Sequence, residues 1–253
     1  MPSSTTRYVR YSSQGKTGYG LLDGDSVVCL QQNFLHDITP TGERLALADV
    51  RLLAPCEPSK VLAVGRNYQS HLGERAPLPY PGVFLKLPTC IVGPEDNVII
   101  PPGASDVHYE AELVVVIGKT AKSIAREEVR NYIFGVTAGN DISERIWQKG
   151  DVQWFRAKAS DTFGPLGPMI VQGLDYDNLL VESRVNGEVR QSQRTCDMLF
   201  DVETIVSYIS QFITLSVGDV IYTGTPMKTQ AMKPGDVVEV EIEGIGVLRN
   251  HIR

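Results

Sequence analysis

The run VHYEAELVVVIG, residues 107–118, constrains the fold most. It is dominated by valine, leucine and isoleucine and closed by a glycine, and it reads as one β-strand. Strand side chains alternate between faces, so Ala111, Leu113, Val115 and Ile117 line one side. Glu110, Glu112, Val114 and Val116 line the other. Both faces read as buried, which leaves two carboxylates at the head of a buried strand. The tail segment VVEVEIEG is the contrasting case: Glu239, Glu241 and Glu243 alternate cleanly with Val238, Val240 and Ile242. That is a half-buried strand with a wet face, and it needs no function.

Strand-like runs broken by Gly and Pro fill most of the chain. Residues 7–30, with the turn signals GKTG and DGDS, predict a small antiparallel meander. The stretch LLAPCEPSK then separates a small N-terminal β-domain, 1–55, from a larger domain, 56–253. VLAVG, GVFLKL, NVIIPP, IFGVTAGND and DVIYTG are further strands, and LLVESRV-NG-EVRQSQ predicts a hairpin on a type I′ turn at Asn186-Gly187. Helices are few. Residues 123–133 predict one, with Ser123 as N-cap and Val129, Tyr132 and Ile133 on one face. DVETIVSYISQFI predicts another, with Ile205, Tyr208, Ile209 and Phe212 at helical spacing. The class is α+β, mainly β. There is no βαβ alternation and no GxGxxG or GxxxxGK[ST] motif, which argues against a Rossmann or P-loop nucleotide site.

Composition narrows the function. The chain has 253 residues, 42% hydrophobic and 21% charged, enough for an ordinary core. Its net charge is −6, with no run of Lys or Arg, which argues against a nucleic-acid-binding face. No apolar stretch is long enough to span a bilayer, and the start lacks the apolar middle of a signal peptide. Cys29, Cys56, Cys90 and Cys196 show no CxxC spacing and read as reduced thiols of a cytoplasmic protein.

Two adjacent anions in a poorly solvated place repel each other and lose hydration, and a bound cation would resolve both costs. Hard ions such as Mg²⁺ take oxygen ligands. Asp141, in the polar break AGNDIS after the next strand, could supply a third. An exposed strand end would need no ion, and spacing alone does not separate the two readings.

Six segments in order, GRNYQSHLGE (65–74), FLKLPTCIVGP (84–94), VHYEAELVVVIG, TAGNDISERIWQ (137–148), RAKASDTFGPLGP (156–168) and IYTGTP (221–226), resemble the fumarylacetoacetate hydrolase family over about residues 55–253. The resemblance implies a mixed β-roll, usually a homodimer, and metal-dependent chemistry on 2-oxo acids and their enols. It implies Glu110, Glu112 and Asp141 as ligands of Mg²⁺ or Mn²⁺. It further implies His71 and Glu74 as a lid dyad, Lys158 as the lysine near the substrate, Arg145 and Gln148 facing the substrate, and Thr225 near its carboxylate.

These residue types suit that chemistry. A carboxylate beside an imidazole orients it as a general base, and His71 and Glu74 share a face if their segment is helical. A partly buried Lys158 could hold an oxyanion, or could pair structurally with Asp161. Arg145 and Gln148 could point together at a polar ligand, or Arg145 could cap a strand end. Thr225 in TGTP could bind a carboxylate or be a plain turn residue. Arg66 and Lys86 could balance substrate charge or be solvated, and His108 reads as a packed residue beside the ligand strand.

The resulting expectation is a divalent-metal-dependent enzyme acting on small 2-oxo or 2,4-dioxo acids through a metal-bound enolate. The reaction is C–C hydrolysis of acylpyruvate hydrolase type or decarboxylation of oxaloacetate type. One alternative is a 2-hydroxyhepta-2,4-diene-1,7-dioate isomerase of aromatic catabolism. The other is a non-catalytic β-roll that binds metal and a 2-oxo acid.

Overall fold

The computed structural model describes residues 5–253. Its main feature is a twelve-stranded sheet. Strands Pro40–Ala46, Ser26–Leu30, Lys16–Asp23 and Thr6–Ser13 lead through Gly164–Gln172, Ile133–Asn140 and Ala111–Ile117 to Val220–Tyr222, Val61–Gly65 and Gly82–Lys86. Along that path only the Val220–Tyr222 and Val61–Gly65 pair is parallel. A five-stranded sheet packs against the first, in the order Glu188–Arg194, Leu180–Val185, Val237–Ile242, Gly246–Ile252, Asn97–Val98. The fold is mainly β, with few helices, as the α+β, mainly β reading expects.

The core explains the valine-rich strand. Leu113, Val115 and Ile117 pack with Val240, Ile242 and Leu248 of the second sheet and with Ile205 and Ile209 of the helix Val202–Phe212. On the opposite face, Val114 and Val116 pack with Tyr8, Val61, Leu166 and Tyr222. Each buried aliphatic side chain contributes about 1.5–3 kcal/mol, so this strand is fixed from both sides.

The N-terminal meander forms and joins the main sheet through Thr6↔Gln172 and Tyr8↔Ile170. Residues 1–4 of the expected 1–55 segment lie outside the described residues. The Asn186-Gly187 hairpin forms with φ of 53° and 81°, the left-handed pair that a type I′ turn requires. Asp201 caps the helix Val202–Phe212 by accepting from Thr204 N at 2.8 Å.

Four sequence expectations need correction. The run 107–118 is not one strand: Val107–His108 pairs with Ser143–Glu144, and Ala111–Ile117 pairs separately with Ile133–Asn140. Residues 123–133 give only a 3-10 helix, Arg126–Asn131, and Ser123 caps nothing. Ser123 has φ 51° and its N–H donates to Ser210 O at 2.8 Å, so the chain is tied across the long helix before it can coil. NVIIPP contributes only Asn97–Val98, because prolines follow that cannot donate to a ladder. Phe212 is 68% exposed and packs edge-on against Tyr208 at 5.1 Å instead of entering the core.

Candidate functional site

The break in the 107–118 run builds the site. Ala111 pairs with Asn140 and Glu112 with Gly139. Beyond that last rung, Asp141 N donates to Glu110 O at 2.9 Å, and Glu110 N donates to Asn140 Oδ1 at 2.8 Å. The Asn140 amide thus satisfies a backbone group released by the break. Gly139 is required opposite Glu112: a Cβ there would lie 2.5 Å from side-chain atoms of Val114 and Tyr222. Glu112 in turn accepts from Gly224 N at 2.7 Å, which ties it to the TGTP turn.

Glu110, Glu112 and Asp141 are all buried, and one oxygen from each lies within 4.8 Å of the others. Lys158 Nζ donates to Glu110 Oε2 at 2.6 Å and to Asp141 Oδ2 at 2.5 Å, and Arg145 also pairs with Glu110. Lys158 therefore pairs with the two acids and not with Asp161. Its ammonium also stands over the Phe84 ring, with Nζ 4.8 Å from the centroid. Lys86 Nζ sits 2.7 Å from Asp141 Oδ1 and forms a buried ion pair with it. Three buried carboxylates that each offer an oxygen within 4.8 Å of the others form an all-oxygen set that fits a hard dication such as Mg²⁺ or Mn²⁺.

The charges are unequal. Burial pushes the Glu110 carboxyl up, but Arg145 and Lys158 outweigh it and hold it well below the usual range. Glu112 is raised well above that range by burial, then by Asp141 and Glu110; Lys158 offsets only part. Burial works against the Lys158 ammonium, yet Asp141 and Glu110 raise it. A raised Glu112 stabilises the metal-free fold at low pH, where folded and unfolded chains both hold the proton. From 4.5 upward the unfolded chain ionises first, so stability is lost until the folded pKa is passed. In melts of EDTA-treated protein, the wild type should lose ground to Glu112→Gln as pH rises through that window. A constant gap would mean that Glu112 is already ionised.

Removing one partner of a buried ion pair costs about 3–5 kcal/mol. Lys158→Met should lower the urea midpoint of the metal-free protein by a corresponding amount, and added Mg²⁺ should restore part of it. An unchanged midpoint would show that the ammonium does not hold the acids together.

The triad opens into a cavity of about 570 Å³. His71, Arg145, Gln148, Lys158 and Thr225 all line it, with Arg66 and His108, and Glu74 does not. The helix Gln69–Leu72 is a single turn, ended by Gly73 at φ 65°, so Glu74 leaves the face that carries His71. No hydrogen bond joins His71 to Glu74 among the described residues. Instead His71 Nδ1 meets the Met227 carbonyl at 2.6 Å. A carbonyl only accepts, so Nδ1 carries a proton, and in the neutral tautomer that this selects the lone pair is on Nε2.

Arg145 Nη1 donates to Gln148 Oε1 at 2.9 Å, so the two act together. Thr225 Oγ1 donates to Ala111 O at 2.9 Å and accepts from Gln191 Nε2 at 2.8 Å. His108 packs by hydrogen bonds, to Asp106 at 2.9 Å and to Thr229 Oγ1 at 2.9 Å; burial lowers its pKa, partly offset by Asp106.

Sequence reading missed Thr229, Gln191, Trp154 and Asn140. Thr229 receives Arg145 Nη2 at 2.8 Å. Trp154 stands against Phe84 at 5.3 Å. Gln191 lies on a hairpin distant in sequence and gave no signal. Asn140 stood inside the break that carried Asp141 and could have been read there.

The family model described as fumarylacetoacetate (FAA) hydrolase, C-terminal, matches residues 60–253, and that described as Rv2993c-like, N-terminal, matches 6–55. Protein Rv2993c of Mycobacterium tuberculosis is 46% identical over 219 residues, 85% of this chain and 83% of that one. The human mitochondrial oxaloacetate tautomerase FAHD2A is 42% identical over 223 residues, 82% of this chain and 71% of its own. The 5-carboxymethyl-2-hydroxymuconate delta-isomerase of Mycobacterium smegmatis has a similar structure, with TM-score 0.93, 41% identity and coverage of 97% of this chain and 98% of that one. Maleylpyruvate hydrolase from Sphingobium sp. SYK-6, solved with manganese(II) and pyruvate, gives TM-score 0.82 at 28% identity, with coverage of 97% and 98%.

Proposed function

This chain belongs to the fumarylacetoacetate hydrolase family, and from that premise we propose that it is an enzyme acting on small 2-oxo acids with Mg²⁺ or Mn²⁺ on Glu110, Glu112 and Asp141. The convergence of those three buried oxygens at the floor of one cavity carries the reading. The ion, when bound, supplies Lewis-acid polarisation that makes charge beside a keto group easier to bear.

The rest falls to the chain's own side chains. Arg145, held by Gln148 and Thr229, presents a guanidinium beside Glu110 that can orient a carboxylate. Lys158 can hold developing negative charge on an oxygen and return a proton there. His71 offers Nε2 as the base that takes a proton from water or carbon. Thr225 steadies the TGTP turn where that turn meets Glu112.

When His71 activates water for attack on the distal keto carbon, the reaction is C–C hydrolysis of a 2,4-dioxo acid; for an oxaloacetate-type acid, CO2 leaves without a base and a proton is returned to the enolate carbon. With carbon as source and sink, His71 serves an isomerisation, the second reading, which the likeness to the delta-isomerase favours. Four free cysteines suit a reducing compartment such as the cytoplasm. The partner is a second copy of the chain, and Leu85 on the sheet-edge strand Gly82–Lys86, 63% exposed, offers such a partner an apolar face.

The test is incubation with acetylpyruvate, oxaloacetate and a 2-hydroxy-diene dioate plus Mg²⁺. Pyruvate release from either of the first two supports hydrolysis or decarboxylation. Loss of enol absorbance without pyruvate supports proton transfer alone. Inertness toward all three, with tight oxalate binding, would leave a binding protein.

A further inference from the structure

Met227, the residue after the TGTP turn, is gripped on all its polar atoms. Its N–H donates to Ser70 Oγ at 3.0 Å, its carbonyl accepts from His71 Nδ1 at 2.6 Å, and its Sδ accepts from Ser192 N at 3.3 Å. The carbonyl before it, that of Pro226, accepts from Gln191 Nε2 at 2.5 Å. Gln191 and Ser70 thus hold the two ends of one peptide plane, Pro226–Met227, and the carbonyl that follows is aimed at His71. The backbone at Met227 is left-handed, with φ 58°. A non-glycine residue stays in that region only where its surroundings over-determine it. Ser70 and His71 are successive residues of the single helical turn Gln69–Leu72, so one short element addresses both the N–H and the carbonyl of Met227.

The direction of these bonds is set from outside the site. Gln193 Nε2 donates to Asp197 Oδ2 at 3.0 Å. A carboxylate accepts, so the Gln193 amide turns its nitrogen to Asp197 and its oxygen to Ser70. Ser70 Oγ then donates to Gln193 Oε1 at 2.5 Å, which leaves its lone pair for the Met227 N–H. Ser70 is exposed and does not itself line the active-site cavity. Its hydrogen bonds add little to stability, because water replaces them readily.

We propose that Ser70 is a positioning residue for His71: by holding the Met227 N–H it keeps the Met227 carbonyl on Nδ1, and so keeps the lone pair of the neutral ring on Nε2. This rests on the reading of His71 as the base. An imidazole free in water prefers its proton on Nε2, and the hydrogen bond made by the other nitrogen decides the tautomer in a protein. A ring released from the Met227 carbonyl therefore loses its basic nitrogen from Nε2.

The experiment compares wild type, Ser70→Ala, Ser70→Thr and His71→Ala, all with Mg²⁺. Long-range proton–nitrogen NMR reads the neutral His71 ring. Wild type should show Nδ1 protonated and Nε2 bare, and Ser70→Ala should shift the mixture toward protonated Nε2. Turnover is read on whichever of acetylpyruvate, oxaloacetate and 2-hydroxyhepta-2,4-diene-1,7-dioate the wild type converts fastest. In Ser70→Ala, kcat should fall by about 10–100-fold, the scale of a misplaced reacting group, with KM and oxalate affinity kept within about threefold. Ser70→Thr, which retains the hydroxyl, should recover most of both changes. A lower kcat with an unchanged ring spectrum, a changed ring with wild-type kcat, or a loss that Ser70→Thr does not recover would each overturn the positioning role. So would a wild-type ring with its proton on Nε2, a result that needs no variant to fold. Wild-type kcat in His71→Ala would overturn instead the reading of His71 as the base.

Discussion

In Glu112→Gln, affinity for Mg²⁺ falls by at least about 10²-fold and the protein remains folded. Losing merely a hydrogen-bond partner of a metal ligand costs about 10–100-fold, and losing the ligand costs no less. The fold survives because the amide keeps the contact to Gly224 N, which the carboxylate now makes at 2.7 Å, while one of three crowded anions is gone. Burial first, and then Asp141 and Glu110, raise Glu112; the amide carries no charge to be penalised by either, so the metal-free variant should melt no lower than the metal-free wild type at neutral pH. Calorimetric titration with Mg²⁺ and a melt in EDTA check both halves. Wild-type metal affinity in the variant would remove Glu112 from the ligand set.

His71→Ala lowers kcat by about 10²–10⁴, the usual range for a general acid or base, and leaves Mg²⁺ affinity unchanged. The split follows from position: His71 lines the cavity but its fixed nitrogen faces the Met227 carbonyl and not the triad. Glu74→Gln discriminates between two ways of orienting the ring. If the Met227 carbonyl suffices, kcat stays within about threefold of wild type, well below the loss of a general base. A loss approaching that of His71→Ala would show that Glu74 swings onto the ring during turnover. Single-turnover kinetics beside the metal titration read both substitutions.

Periodicity made most of the strands legible. The alternation of residues 111–117 and the Asn186-Gly187 turn appear in the structure at the expected positions, because side-chain direction and left-handed backbone are local properties. The triad was legible only as a question. Glu110 and Glu112 look like neighbours on one continuous strand, yet they meet Asp141 through a break at Tyr109–Glu110 that Asn140 fills from the partner strand. A bond between segments thirty residues apart leaves no trace in local pattern. The same limit hid the true partners of Lys158, for which the sequence offered Asp161 as one structural alternative. It also governed residues 123–133, where ties to Ser210 override helix propensity.

Gln191 carries a consequence for the whole molecule. From the second sheet its one amide accepts from Ala111 N at 3.1 Å and from Ser183 at 2.9 Å, and it donates to Thr225 and to the Pro226 carbonyl at 2.5 Å. The hairpin is therefore not an interchangeable module: transplanting it from another roll, or recombining the chain between the sheets, would leave the acid-bearing strand and the TGTP turn without their common anchor. By contrast the N-terminal meander attaches along Thr6–Tyr8 to a strand that supplies none of the acids. Exchange of that segment is therefore expected to leave the backbone ties of the acids in place, provided that Tyr8, Leu30 and Phe34 are matched in their packing with Val114 and Val116.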